Sequence, residues 1–259
     1  MDPRTGAPLP AGAGYPKSRR LRKRRDFVAT QIIHVDLREY GDGRRASVDE
    51  LKQARDKLRT AIEDTDLRNR QGQIDLVARM QLPLAAWLGA YLPWQVFVTP
   101  QQMRGKGDDT EPKQYEASRE LQRPDDSNRY DAFEPFPTGF AERGDEAILL
   151  IDPLRRSAPE NVDAFVDANG KTIVTDHKYR LLMKHQRQVI EPEDMIPMLR
   201  DVVEFAHQLH KRNVKKIHLG LSTPVELAFF IGRELRAWGL VDLYEYYGDH
   251  YQYVFDLNS

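Results

Sequence analysis

Residues 218–232 read HLGLSTPVELAFFIG, an apolar run that breaks at Ser-Thr-Pro and resumes with helical spacing. The first part predicts a buried strand and the second part a helix. Thr223 lies where an N-cap is expected, with Pro224 at the first helical position and Glu226 three residues after the cap. Strands that pass directly into helices are where α/β proteins bind phosphates, but Glu226 would repel an anion. A purely structural cap and an anion site therefore both stay open for this turn.

Strand and helix patterns alternate on both sides of this stretch, which predicts an α/β fold with mainly parallel sheets. The helix that opens at Ser47 has Glu50 in capping-box spacing and Leu51, Ala54, Leu58, Ala61 and Ile62 on one face. Strands are predicted over 27–37, 73–80, 94–100, 146–154, 215–221 and 240–247, with further helices over 82–92 and 192–212. The stretch 251–257 predicts a last, antiparallel strand, and Asn169-Gly170 predicts a tight hairpin turn.

Two passages align without a gap over sixteen residues: IDLVARMQLPLAAWLG from Ile74 and IHLGLSTPVELAFFIG from Ile217. They share Ile, Leu, Leu, Ala and Gly at equivalent positions, and each lies between an amphipathic helix and a strand. This predicts two copies of one α/β unit, with two equivalent strand-to-helix turns facing one ligand. The predicted organisation is a disordered basic arm over 1–25, a first half over 26–104, a connector over 105–145 and a second half over 146–259.

Composition restricts the classes of function. The chain has 39 Lys and Arg against 40 Asp and Glu, a net charge of −1, so any anion binding must be local. The sequence has no cysteine, which excludes disulfides and thiolate chemistry and fits a reducing cytoplasm. No apolar run approaches the roughly 20 residues of a spanning helix, so no membrane contact is expected. The arm contains KSRRLRKRR, which is either a solvated tail or a contact arm for nucleic acid or an acidic protein.

Polar and aromatic residues at the predicted strand ends are candidates for ligand binding. Phosphate contacts require several converging donors, and bases require flat rings. The candidate donors are Arg79, Gln81, Arg104, Lys106, Arg155, Arg156, Ser222 and Thr223. The candidate stacking residues are Tyr246 and Tyr247, whereas Trp87 on its apolar helix is better explained as a core residue.

The passage IHLGLSTPVELAFFIGRELRAWG, followed by VDLYEYYGDHYQYVFDL, resembles the C-terminal signature of SAVED domains. The matching positions are Pro224, Ala228, Gly232, Arg233, Tyr244 and Glu245. The resemblance implies two fused CARF-like, Rossmann-like units that bind a cyclic oligonucleotide second messenger, with a cyclic trinucleotide expected, in CBASS or type III CRISPR antiphage defence. Family members usually carry a fused effector. The residues before Asp26 are too few for one, so a separate effector subunit is expected, controlled by ligand-induced self-association or rearrangement.

A metal-dependent nuclease is the alternative from another class. Asp176 and Lys178, with Asp163 or Asp167 upstream, match the acid and acid-x-Lys arrangement in which carboxylates hold magnesium and lysine steadies the phosphate. Such spacing also arises readily in a charged hairpin.

Other enzymatic readings have less in the sequence to favour them. Gly-rich nucleotide loops are absent, and His207 and His210, three residues apart on one predicted helix, have no paired carboxylate at ligand spacing. No residue points to cleavage of the messenger, as in a ring nuclease, and no residue excludes it. The expectation is a sensor without catalytic residues, metal or cofactor, and the remaining alternative is a scaffold that holds nucleic acid with the basic arm.

Overall fold

The fold is built from parallel strand pairs covered by helices, as the alternating pattern predicts. The computed structural model describes residues 45–64, 73–77, 80–92, 97–102, 113–114, 144–154, 163–183, 190 and 192–259. All of these lie in one compact unit, Val35–Ser259. The predicted basic arm and the strand predicted over 27–37 lie outside the described residues.

Four helices and nine strands make up the described elements. The helices are α1 (Val48–Asp64), α2 (Leu82–Tyr91), α3 (Pro192–Lys211) and α4 (Val225–Leu235). The strands are β1 (Gln73–Val77), β2 (Phe97–Gln102), β3 (Lys113–Gln114), β4 (Glu146–Ile151), β5 (Phe165–Val166), β6 (His177–Leu181), β7 (Lys216–Leu221), β8 (Leu240–Tyr246) and β9 (Tyr251–Asp256). None of these described helices combines the length and apolar character needed to cross a membrane.

Helix α1 begins at the capping box predicted from its sequence. The Ser47 backbone N–H donates to Oε2 of Glu50 (2.8 Å), and the Glu50 N–H donates to Oγ of Ser47 (3.3 Å). These reciprocal bonds satisfy two backbone donors that a helix start otherwise leaves without partners. Four residues of the predicted apolar face are buried, namely Leu51, Ala54, Leu58 and Ile62, and Ala61 is half-buried.

The larger sheet has six strands in the order β5-β9-β8-β7-β4-β6. Strands β6, β4, β7 and β8 are parallel, and β9 is antiparallel to β8, which confirms the prediction for the last strand. One face of this sheet packs against the helices in the main core. The other face carries a smaller buried cluster that consists of Ile148, Leu150, Phe165, Tyr244 and Tyr251.

The turn predicted at Asn169-Gly170 is present between β5 and β6. Gly170 has a positive φ of 79°, and Oδ1 of Asp167 accepts hydrogen bonds from the N–H groups of Asn169 (2.8 Å) and Lys171 (2.9 Å). The returning chain pairs through Ile173, whose N–H donates to the Phe165 carbonyl (2.7 Å). An aspartate that caps the turn backbone is common chemistry for such reversals.

The smaller sheet repeats the pattern of the larger one. Its order is β1-β2-β3, with β1 parallel to β2 and β3 antiparallel to β2, as β7, β8 and β9 are arranged in the larger sheet. The registers also agree, because Gln73 pairs with Phe97 and Lys216 with Leu240, each partner 24 positions further along the chain. The strand-helix-strand units β1-α2-β2 and β7-α4-β8 are therefore equivalent, which confirms the two-copy prediction.

Helices α2 and α4 cross with their backbones in direct contact. A Cβ atom at Gly89 would lie 1.9 Å from the Phe229 carbonyl oxygen, and one at Gly232 would lie 1.9 Å from the Ala86 carbonyl oxygen. In the gapless alignment Gly89 is equivalent to Gly232, and Ala86 to Phe229. The two contacts are thus related by a local two-fold axis, as expected when two copies of one unit pack through the same helix face.

The two helices run in the same direction through this crossing. Nη1 of Arg236, just after α4, donates to the carbonyl of Leu92, just after α2 (3.4 Å). In an antiparallel crossing Leu92 would face Glu226, leaving Arg236 ten residues, or about 15 Å, further along the axis and out of reach. The N-terminal ends of both helices, and with them both strand-to-helix turns, consequently lie on the same side of the crossing.

The capping box predicted at Thr223 is wrong in its position and its partners. Helix α4 begins at Val225, and Pro224 is its N-cap with an extended ψ of 149° and no side-chain cap hydrogen bond. The Pro224 carbonyl accepts the first helical bond from Ala228 (3.0 Å), while Oγ1 of Thr223 donates to the same carbonyl (3.1 Å). Glu226 is buried in the helix, because its position falls on the face that packs into the core.

Adding one methyl group at the helix crossing should destabilise the whole fold. Gly89→Ala places its Cβ inside the Phe229 carbonyl, so α2 and α4 must separate, and the free energy of unfolding should fall by about 2 kcal/mol or more. Helix propensity alone would change it by about 1 kcal/mol in the opposite direction. Urea denaturation of Gly89→Ala, Gly232→Ala and the double variant measures this.

The double variant provides the control. Because one separation of the helices relieves both clashes, its loss should be smaller than the sum of the two single losses. Strict additivity, or a stabilised single variant, would show that the helices do not meet at these glycines.

Candidate functional site

The carboxyl ends of four parallel strands lie side by side at one edge of the larger sheet. The Ser222 N–H, just after β7, donates to the Ile151 carbonyl at the end of β4 (2.9 Å). The Asp152 N–H in turn donates to the Leu181 carbonyl at the end of β6 (3.0 Å). Strand β8 adjoins β7 and ends at Tyr246. This edge is the usual ligand-binding location in open α/β sheets.

Several of the predicted ligand-binding residues are at this edge or at the equivalent turn. Ser222 and Thr223 follow β7 and are half-buried, and Tyr246 and Tyr247 end β8. Gln81 is the half-buried N-cap of α2 and makes no side-chain cap hydrogen bond. The other predicted contacts lie outside the described residues and stay predictions, namely Arg79, Arg104, Lys106, Arg155 and Arg156.

The two tyrosines that end β8 form a cluster with Arg45, which precedes α1. The Arg45 guanidinium carbon lies 5.5 Å from the Tyr246 ring centroid and 5.9 Å from that of Tyr247, within cation–π range. Oη of Tyr247 donates to the Ala46 carbonyl (2.7 Å). Tyr246 also packs on Tyr251, with ring centroids 5.0 Å apart. The end of β8 and the start of α1 are thereby fixed to each other.

Glu245 is an ionisable residue next to this cluster. Burial raises the pKa of its carboxyl to about 7, although the Arg45 charge and the Tyr246 backbone N–H oppose the shift. Burial and the adjacent Glu245 charge raise the pKa of Tyr247 to about 12, and Arg45 again opposes. Desolvation favours the neutral form of a carboxyl. The site therefore contains a carboxyl group that changes charge near neutral pH.

A buried ion pair stands at the far side of the same edge. Nη2 of Arg180 on β6 lies 2.6 Å from Oδ2 of Asp152, which is fully buried just after β4. Removing one member of such a pair leaves a buried charge without its partner, which typically costs several kcal/mol. The pair fixes the ends of β4 and β6 together and balances one of the cations of this edge.

Trp87 is a core residue, as its apolar helix predicted, and not a stacking platform. It is fully buried, its Nε1 donates to the Ser259 carbonyl (2.9 Å), and its ring stacks on Tyr91 at 4.7 Å. The Arg59 guanidinium lies 5.7 Å from the same ring. These contacts join α2 to α1 and to the end of the chain.

The nuclease pattern does not form a metal site within the part of the chain that the structure describes. Nζ of Lys178 lies 2.5 Å from Oδ1 of Asp163, and Asp176 is exposed. His207 and His210 are exposed and pack edge-on against Trp238, with centroids 4.8 and 5.4 Å from its ring. No group of three or more His, Cys, Asp or Glu is arranged there to hold a metal ion.

Three residues of this edge were missed as functional candidates from sequence: Arg45, Arg180 and Glu245. The candidates predicted from sequence were residues at strand ends. Arg45 instead lies before a helix, and its ring partners are about 200 residues away along the chain. Glu245 was noted as a family-like position but not as a site residue. The charged residue next to two consecutive tyrosines at a strand end was the available signal for it.

Comparison with known proteins identifies the class. The model of SAVED, the SMODS-associated and fused to various effectors sensor domain, matches residues 105–257, more than half of the chain. The chain belongs to the SAVED family of sensor domains. No protein with a curated description matches it.

Solved SAVED structures share the fold. The Acinetobacter baumannii Cap4 SAVED/CARF-domain containing receptor with the cyclic trinucleotide 2'3'3'-cAAA is similar at a TM-score of 0.55 and 12% identity, over 82% of this chain and 44% of that one. The same receptor with 3'3'3'-cAAA gives 0.53 and 14%, over 82% and 43%. The Moraxella osloensis Cap4 receptor gives 0.50 and 13%, also over 82% and 43%. This chain thus spans less than half the length of these receptors.

Glu245 should make the stability of the fold depend on pH. Because its pKa rises from about 4.5 to about 7 on folding, its stabilising contribution is complete below pH 4.5 and is lost as pH rises through 7. Glu245→Gln stays neutral, so wild type should lose stability relative to this variant between pH 5 and 8. Urea denaturation at four pH values measures the difference.

The matched control is Glu204→Gln, which removes an exposed carboxyl on α3. Its stability should follow wild type at every pH. If the free energies of unfolding of wild type and Glu245→Gln change with pH in the same way, the pKa of Glu245 is not raised.

Proposed function

We propose that this protein senses a cyclic oligonucleotide, specifically a cyclic trinucleotide, bound between its two halves in antiphage defence. The observation that carries the proposal is the parallel crossing of α2 and α4, which puts two equivalent strand-to-helix turns on the same side. Open backbone donors at such turns suit phosphates, and the Tyr246 and Tyr247 rings beside Arg45 suit bases. The similar Cap4 receptor was solved with two cyclic trinucleotides.

The output of the sensor is proposed to be control of a separate effector subunit in the cytoplasm, in a CBASS or CRISPR context. The ligand would favour self-association or rearrange the partner, to an extent set by its preference for one state over the other. The absence of cysteine fits a reducing compartment. No resident cofactor or catalysis is part of the proposal.

Cyclic trinucleotides should stabilise the fold. A ligand at about 100 times its dissociation constant adds about 2.7 kcal/mol to the free energy of unfolding, a clear rise in the melting temperature. A thermal-shift screen of cyclic di-, tri- and tetranucleotides measures it, with linear triadenylate as control. If no cyclic nucleotide shifts the transition, the sensor proposal is wrong.

The aromatic wall of the site gives a residue-level test. Tyr246→Ala removes a ring, so binding of the best cyclic nucleotide should weaken by roughly 10-fold or more, as base stacking contributes about 1–3 kcal/mol. Tyr246→Phe keeps the ring and should bind as wild type does. Equal affinity of the alanine and phenylalanine variants would remove Tyr246 from the site.

A further inference from the structure

Arg45 is exposed, and the residues that follow it are fixed in place. Its guanidinium lies over the Tyr246 and Tyr247 rings. The next residue, Ala46, is fully buried, and its carbonyl accepts the Tyr247 hydroxyl hydrogen bond. The Ser47 N–H is bonded to Glu50. The backbone after Arg45 is thus fixed, while stacking on tyrosine leaves the in-plane N–H donors of a guanidinium available for an anion.

Glu245 points toward the helix side of the sheet. Leu243 belongs to the main core on that side, and Tyr244 belongs to the cluster on the opposite face, after a bulge between the two. Tyr246 packs on the same cluster as Tyr244, so alternation places Glu245 on the side of the helices. The carboxyl is half-buried there and lies within electrostatic range of Arg45.

Within the part of the chain that the structure describes, few other charged groups lie around Glu245. From the start of α1 come Arg45 and Glu50, and the paired residue on β9 is the uncharged Gln252. In the turn after β8, Asp249 is bonded to Nδ1 of His250 (2.6 Å). On β8 itself, Asp242 pairs with Lys216 (2.8 Å). Among the described residues, Arg45 is therefore the cation whose charge acts on Glu245, and Glu50 adds negative charge at the adjacent Tyr247.

We propose that Arg45 binds an anionic group of the messenger and that Glu245 competes with that anion for the guanidinium. The proposal rests on the proposed function and adds a binding residue and a form of regulation to the same site. An ionised Glu245 attracts Arg45 and repels a phosphate, whereas a neutral Glu245 does neither. The complex consequently holds Glu245 in its neutral form, and binding above pH 7 takes up one proton.

Isothermal titration of the full chain with 3'3'3'-cAAA and 2'3'3'-cAAA at pH 6 and pH 8 tests this linkage. With a carboxyl pKa of about 7, one linked proton makes binding about tenfold weaker at pH 8 than at pH 6. Glu245→Gln should bind equally at both pH values, near the wild-type affinity at pH 6. Arg45→Ala should bind at least about tenfold more weakly, and Arg45→Lys should fall between, because it keeps the charge without the planar stack.

Arg59→Ala is the matched control for the arginine. Arg59 also lies over two aromatic rings, Trp87 at 5.7 Å and Tyr91 at 5.9 Å, but on the middle of α1. It should bind both trinucleotides as wild type does. If Arg45→Ala and wild type bind alike, or if wild-type affinity is the same at pH 6 and pH 8, the Arg45 proposal is overturned while the sensor proposal stands.

A second measurement decides the case in which neither trinucleotide binds. Carbon-13 NMR of the labelled Glu245 carboxyl follows its pKa without nucleotide, and Arg45→Ala should raise that pKa because it removes the attracting charge. Millimolar pyrophosphate should raise it in wild type and not in Arg45→Ala. If Arg45→Ala raises the Glu245 pKa, and pyrophosphate raises that pKa in wild type only, Arg45 is an anion-binding residue even though the sensor proposal fails. An unchanged Glu245 pKa in either arm overturns the Arg45 proposal.

Discussion

Backbone contact between α2 and α4 is the constraint on which the arrangement of the two halves depends. Glycine at positions 89 and 232 lets each helix place a carbonyl where a side chain would otherwise stand. Because the contact repeats through a local two-fold axis and the two helices run in the same direction, the strand-to-helix turns of the two units come to the same side. The proposed site between the halves depends on this packing.

Much of the fold could be predicted from sequence because its signals are local. The capping box at Ser47, the turn at Gly170 and the antiparallel last strand depend on residues close in the chain, and all three were confirmed. The gapless alignment included Gly89 and Gly232. Two glycines at equivalent positions in a sequence do not, however, show that the helices carrying them are in contact. The cap at Thr223 was wrong because Pro224 has an extended ψ and is itself the N-cap, so the helix begins one residue later than predicted.

The candidate site was less predictable because its members come from distant parts of the chain. The strand-end pattern predicted Tyr246 and Tyr247, but Arg45 reaches them from before α1. Arg180 on β6 reaches Asp152 at the end of the neighbouring strand β4. The described ion pair at this edge, Arg180 with Asp152, is compensated within itself. A single carboxyl that titrates near this edge, such as Glu245, can change the electrostatic field at the site while the net charge of the chain changes by only one unit.

The glycine crossing also bears on how the halves can move. Where side chains separate two helices, rotamer changes can widen or narrow the gap by fractions of an ångström. Between Gly89 and Gly232 no such layer exists, and carbonyl oxygens already stand against the opposite helix axis. The distance between the two helices is therefore fixed at the crossing. A ligand that brings the two turns closer together must do so by rotating one half about the crossing. The ends of the helices beyond Leu92 and Arg236 would swing in response.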